Sequence, residues 1–255
     1  MNAESLVRSE VRLKSGFYGL LAVFLCALSL AGAPREGWAQ STQEVVSEDQ
    51  AARILAIGDS MMAWHGITGN SIADALSDAL DEPVVNRSVA GARIIYGLPI
   101  TGALGLKIAK QYHGKPWDWV VVNGGGNDLW LGCGCGKCER KINRMVAKNG
   151  TSGDIPQLIT RIRKTGARVV FIGYLRSPGV DSIIDACRPS GDALEARLIQ
   201  MAKEMDGVYF LSIADLVPDG DRSFHGADMI HPSKKGSKAI GRMVADLIRQ
   251  VDESR

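Results

Sequence analysis

Arg53-Ile54-Leu55-Ala56-Ile57-Gly58-Asp59-Ser60 is the stretch that decides the fold class. Ile54 to Ile57 is an unbroken apolar run that stops at a glycine. A short continuous run bounded by a turn residue reads as a strand buried on both faces, as in parallel sheets. The signature recurs in Pro83-Val84-Val85-Asn86, in Trp117 to Asn123, in Ala167 to Gly173 and in Val208 to Ser212. Between these runs the apolar residues change to helical spacing. Ser71 to Leu80 carries Ile72, Ala75, Leu76 and Leu80, and Ile155 to Thr165 ends at Gly166, a C-cap residue. Asp192 to Met205 carries Leu194, Leu198, Met201 and Ala202, and Lys234 to Val251 closes the chain with Ile240, Met243, Val244, Leu247 and Ile248. Thr101 to Gln111 reads as a helix weakened by Gly102 and Gly105. Strands alternating with helices predict an α/β fold with right-handed crossovers and a parallel sheet covered on both faces.

In such sheets the working residues gather at the carboxyl ends of strands. Ser60 follows the first run, Gly91 the second and Asn127 the third. Asp228-Met229-Ile230-His231-Pro232 precedes the last helix. Together these patches supply the parts for acyl transfer through a serine ester. Ser60 is the candidate nucleophile, with Gly58 providing the tight turn and Asp59 holding the loop by accepting backbone N–H bonds. His231 is the candidate general base, and Asp228 can curl back to fix its tautomer. Candidate oxyanion donors are the backbone N–H groups of Ser60 and Gly91 and the side-chain amide of Asn127. Each patch alone has an ordinary explanation: a helix N-cap at Ser60, a capping Asp with a surface His, a plain turn at Gly124 to Asp128. Their order along one chain argues otherwise. His65, His113 and His225 have no carboxylate at the Asp228–His231 spacing ahead of them.

These blocks resemble the SGNH/GDSL hydrolase family: Gly-Asp-Ser at Ser60, Asn86 to Gly91, Gly-x-Asn-Asp at Gly125 to Asp128, and Asp-x-x-His at Asp228 and His231. The resemblance spans about Arg53 to Val251. It implies a flavodoxin-like, three-layer α/β/α sandwich with five parallel strands. It also implies esterase, lipase, thioesterase or carbohydrate-ester deacylase chemistry without metal or other cofactor. Met61 stands where the family name has leucine. The cysteine-rich stretch from Cys133 to Cys138 is no general family feature and could wall the site. Trp64 and Trp130 lie near Ser60 and Asn127 in sequence, but core packing is the expectation for both.

Of 255 residues, 30 are Lys or Arg and 28 Asp or Glu, a net charge of +2 that points to neither nucleic acid nor an anionic membrane surface. The expected partner is a small-molecule, carbohydrate or lipid acyl ester. Arg8, Arg12 and Lys14 precede an apolar run from Phe17 to about Ala31, then Ala31-Gly32-Ala33 and Gly37-Trp38-Ala39. That order reads as a secretory signal peptide over residues 1–39, then a flexible linker over 40–51 and the hydrolase domain over 52–255. The run is too short for a retained span, which needs roughly 20 residues. A periplasmic or secreted protein is expected. Cys26 would leave with the leader, and Cys133, Cys135, Cys138 and Cys187 remain. An oxidising compartment favours two disulfides over a four-thiolate zinc site. The expected pairing joins one of the clustered cysteines to Cys187 and closes the other two locally. Two further readings use the same residues: an acyltransferase working on a glycan hydroxyl, and an inactive binding protein on this fold.

Overall fold

The computed structural model describes residues 51–179 and 182–252. The expected signal peptide, and the linker up to residue 50, lie outside the described residues. Five strands form one parallel sheet: β1 (Ile54–Ile57), β2 (Val84–Asn86), β3 (Trp119–Val122), β4 (Arg168–Ile172) and β5 (Val208–Leu211). Their spatial order is β2-β1-β3-β4-β5, the flavodoxin-like order. All five are the runs read from sequence.

Alternate residues of each strand face opposite layers, which explains why the runs are continuously apolar. Leu55, Ile57, Val120, Val122, Val169 and Phe171 form one core, and Ile54, Ala56, Trp119, Val121, Val170 and Ile172 belong to the other. Among the described residues, eight α-helices of four or more residues follow: α1 (Ser60–Ala63), α2 (Ile72–Leu80), α3 (Ile108–Gln111), α4 (Gly126–Cys133), α5 (Glu139–Met145), α6 (Asp154–Arg163), α7 (Arg188–Glu204) and α8 (Lys234–Val251). Ile142, Ile159 and Leu198 of α5, α6 and α7 pack on the first core, and Leu76 and Ile240 of α2 and α8 on the second. The result is the expected three-layer sandwich.

Three helical features depart from the sequence reading. Thr101 to Gln111 is not one helix. A helical turn at Pro99–Thr101 runs into a wider turn at Gly102–Leu106, and α3 starts afresh at Ile108. Gly105 breaks it, at φ 103°, in the left-handed region that glycine alone enters easily. The kink serves the site. Gln111 is buried, and its amide donates to the carbonyls of Gly105 and Gly58 while its carbonyl oxygen accepts the Gly58 N–H at 2.7 Å. The turn before Ser60 is thus clamped from below. Helices α4 and α5 have no signature in sequence, because glycines and cysteines interrupt their spacing. Helix α7 begins at Arg188, ahead of the expected Asp192, with Pro189 in its first turn.

Candidate active site

Strand order reverses between β1 and β3, which opens a crevice at their carboxyl ends. Ser60 and Asn127 both stand there. Asp59 caps α1, its Oδ1 accepting the Met61 N–H at 3.0 Å, so Ser60 becomes the first residue of that helical turn. A first-turn N–H has no intrahelical acceptor and is left for a ligand.

The last block reaches Ser60 from the far end of the chain. His231 Nε2 lies 2.8 Å from Ser60 Oγ, and His231 Nδ1 lies 2.6 Å from Asp228 Oδ2. Asp228 Oδ1 accepts the backbone N–H groups of Ile230 and His231, each at 3.0 Å, so the Asp-x-x-His turn is closed by its own carboxylate. Burial raises the Asp228 pKa, but the hydrogen bonds from the His231 ring and these two N–H groups outweigh it, and the net shift is downward. The carboxylate stays charged beside the imidazole. Trp64 holds the ring's face. It is four residues past Ser60, its N–H donating to the Ser60 carbonyl at 2.9 Å, and its indole stacks on His231 at 3.9 Å with planes 8° apart. The expectation of a core tryptophan here is corrected: Trp64 is only half-buried and covers the imidazole.

Asn127 is the second residue of α4. Its amide donates one N–H to the Ala92 carbonyl at 3.1 Å, and its second N–H remains. Gly91, next to Ala92, has φ 78°, which suits glycine, and its N–H has no partner among the described residues. Ser60, Asn127 and His231 line one cleft, of about 120 Å³, while Gly91 lies outside its lining. Trp130 also lines the cleft, so it too is no core residue.

Asp128 ties this block to the loop after β2. Its two carboxylate oxygens accept the N–H groups of Ile94 and Ile95, each at 2.9 Å. Burial nevertheless pushes its pKa up to about 6 against the pull of those bonds. A carboxyl with a higher pKa folded than unfolded contributes stability in its protonated form. That contribution is complete below about pH 4 and is lost as pH rises through about 6. Asn has no such titration. Relative to Asp128→Asn, the wild type is expected to lose up to about 3 kcal/mol between pH 4 and pH 7. Urea unfolding at both pH values reads this; a difference that does not change with pH would refute it.

Tyr174 was missed. It stands just past the end of β4, and that placement, shared with the residues after β1 and β3, was the signal available. Its hydroxyl donates to Asp59 Oδ2 at 2.6 Å and accepts the Gly126 N–H at 2.7 Å. Burial holds the phenol well above its usual pKa, so it remains a donor. Burial also raises Asp59, opposed by the bonds from Tyr174 and Met61 and by His231 nearby. Cys133 pairs with Cys138 and Cys135 with Cys187, in line with the expected pairing scheme.

The GDSL-like Lipase/Acylhydrolase family model matches residues 56–239. Among solved structures, a carbohydrate acetylesterase family member from Sinorhizobium meliloti superposes with a TM-score of 0.56 at 15% identity, over 78% of this chain and 98% of that one. A protein described as an SGNH hydrolase from Slackia heliotrinireducens gives 0.55 at 20%, over 77% and 98%. A lipase from a goat rumen metagenome gives 0.51 at 14%, over 76% and 96%. No curated protein sequence matches the chain. At these identities the structural likeness speaks for the fold. The family match runs through every block from Ser60 to His231, and the chain belongs to the GDSL-like lipase/acylhydrolase family and is a hydrolase acting on ester bonds.

Proposed function

We propose that the enzyme works through an acyl-enzyme on Ser60. The observation that carries this is the unbroken chain from Asp228 through His231 to Ser60 Oγ. His231 takes the Ser60 proton as Oγ attacks the ester carbonyl, then returns it to the leaving alcohol. Asp228 fixes the tautomer with Nδ1–H donating and stabilises the imidazolium. The N–H groups of Ser60 and Gly91 and the second N–H of Asn127 receive the oxyanion. Water, activated by His231, then releases the acid. The substrate is an acyl ester of a small molecule or carbohydrate. Two disulfides support an oxidising compartment, and with the N-terminal pattern a periplasmic or secreted enzyme.

A fluorophosphonate probe tests the mechanism. Stoichiometric labelling, mapped by peptide mass to Ser60 and blocked by prior acylation, is the expected result. Ester turnover without labelling of Ser60 would overturn the assignment.

A further inference from the structure

The same cleft carries an inference about substrate, which rests on the serine mechanism proposed above. Away from Ser60 its walls are mainly apolar. Leu129 and Trp130 of α4 form one side, and Leu175, Ile184 and Cys187, from the segment after β4, form the other, with Ile230 beside His231. Arg176, Asp185 and Arg188 line it too: the Arg176 guanidinium is committed to Asp192 at 2.6 Å and Glu195 at 3.0 Å, Asp185 accepts the Ser182 N–H at 2.8 Å, and Arg188 is exposed to solvent. A cleft whose lining is mainly apolar takes a hydrocarbon group.

Size limits the group. A cavity of ~150 Å³ holds benzene, so one of about 120 Å³ takes an acyl tail of about four to five carbons.

The two walls come from separate stretches of chain, and a covalent bond joins them. Cys135 lies just past α4, and its disulfide reaches Cys187 immediately before α7. Cys135 is also fixed to the wall itself, because its N–H donates to the Leu129 carbonyl at 3.1 Å and Ser190 donates to its carbonyl at 3.3 Å. The Cys133–Cys138 bridge closes the intervening loop into a small ring. A wall held only by packing could yield to a longer chain, but this one is tied across. We propose that the cleft is the acyl site, that it selects short acyl groups of up to about five carbons, and that the Cys135–Cys187 disulfide is the strut that sets its width.

The test uses the mature enzyme and two ester series. One is p-nitrophenyl acetate, butyrate, hexanoate and octanoate; the other is acetate esters of alcohols of increasing length. The expected kcat/KM falls about tenfold or more from butyrate to octanoate, because a tail that no longer fits loses its binding or strains the walls. The alcohol series shows no such step. In the Cys135→Ser, Cys187→Ser double variant the octanoate-to-butyrate ratio rises about tenfold. Trp130→Ala, which enlarges the cleft and leaves both disulfides intact, shifts the ratio in the same direction. It keeps the question answerable if the disulfide variant does not fold. Fluorophosphonate labelling of the wild type separates the two ways of failing. If Ser60 is not labelled, the serine mechanism falls and the acyl site with it. If Ser60 is labelled but the acyl profile is flat, or the step appears in the alcohol series, the acyl-site assignment alone is wrong. An unchanged ratio in a folded disulfide variant would remove the strut.

Discussion

Ser60→Ala is expected to lower kcat for ester hydrolysis by about five to six orders of magnitude and to abolish fluorophosphonate labelling, with unfolding stability unchanged within about 0.5 kcal/mol. Alanine removes the one atom that forms the acyl ester in the proposed mechanism. It leaves His231, Asp228 and the cleft in place. What survives is the contribution of the oxyanion donors and of substrate binding, which serine hydrolases retain at about 10³–10⁴ over water. Asp228→Asn makes a graded companion, with kcat expected down by about 10⁴. Its Oδ1 can still accept the N–H groups of Ile230 and His231, so the turn survives. Only the contact at 2.6 Å reverses, since an amide N–H would face the imidazole Nδ1 and favour the wrong tautomer. Stopped-flow or long-timecourse hydrolysis of a p-nitrophenyl ester measures both. Residual turnover above about one per cent in Ser60→Ala would mean that another nucleophile or a directly activated water carries the reaction, and the acyl-enzyme would have to be abandoned.

The strands were legible because parallel strands covered on both faces are apolar at nearly every position, and Leu55 and Ile54 each found a separate core. The Asp228–His231–Ser60 arrangement was legible because Asp228 and His231 share one turn and Ser60 follows a strand. No periodicity announces α4, since Gly126, Gly132 and the first of the clustered cysteines fall inside it. The long helix expected at Thr101 to Gln111 failed on one residue: Gly105 was counted as a weak helix former, whereas its left-handed backbone stops the helix and turns Gln111 inward to Gly58. Trp64 could not be assigned from sequence. Its stacking on His231 depends on a partner 167 positions away, and spacing carries no information about that. The same holds for which of the clustered cysteines joins Cys187, since Cys135 lies 52 positions away in a different loop. Contacts within one turn were readable, and so was the pairing of His231 with Ser60 through the order of the motifs; the other contacts between loops at the sheet's carboxyl edge were not.

Tyr174 belongs to that second class, and Tyr174→Phe is expected to cost about 2–4 kcal/mol of stability and to lower kcat about 100-fold with KM nearly unchanged. Phenylalanine keeps the ring, which packs so closely on Gly126 that a Cβ there would meet it at 2.7 Å. The change therefore isolates the hydroxyl. That hydroxyl bridges the turn bearing Ser60 to the start of α4 bearing Asn127, through Asp59 on one side and the Gly126 N–H on the other. Its own backbone is anchored, because Glu195 accepts the Tyr174 N–H at 3.1 Å. Without the hydroxyl, a buried carboxylate and a backbone N–H each lose a partner, which costs more than the bonds themselves contributed. Ser60 and Asn127, the proposed nucleophile and oxyanion donor, would then no longer be held at a common spacing, and a small misplacement of that kind acts on the transition state more than on ground-state binding. Asp59→Asn in the Tyr174→Phe background checks the cause. An uncharged residue tolerates the missing phenol better than a carboxylate does, so the two changes should be non-additive in stability by about 1 kcal/mol or more. Additive losses, or a rise in KM with kcat preserved, would mean that Tyr174 merely fills space at the cleft wall and positions neither group.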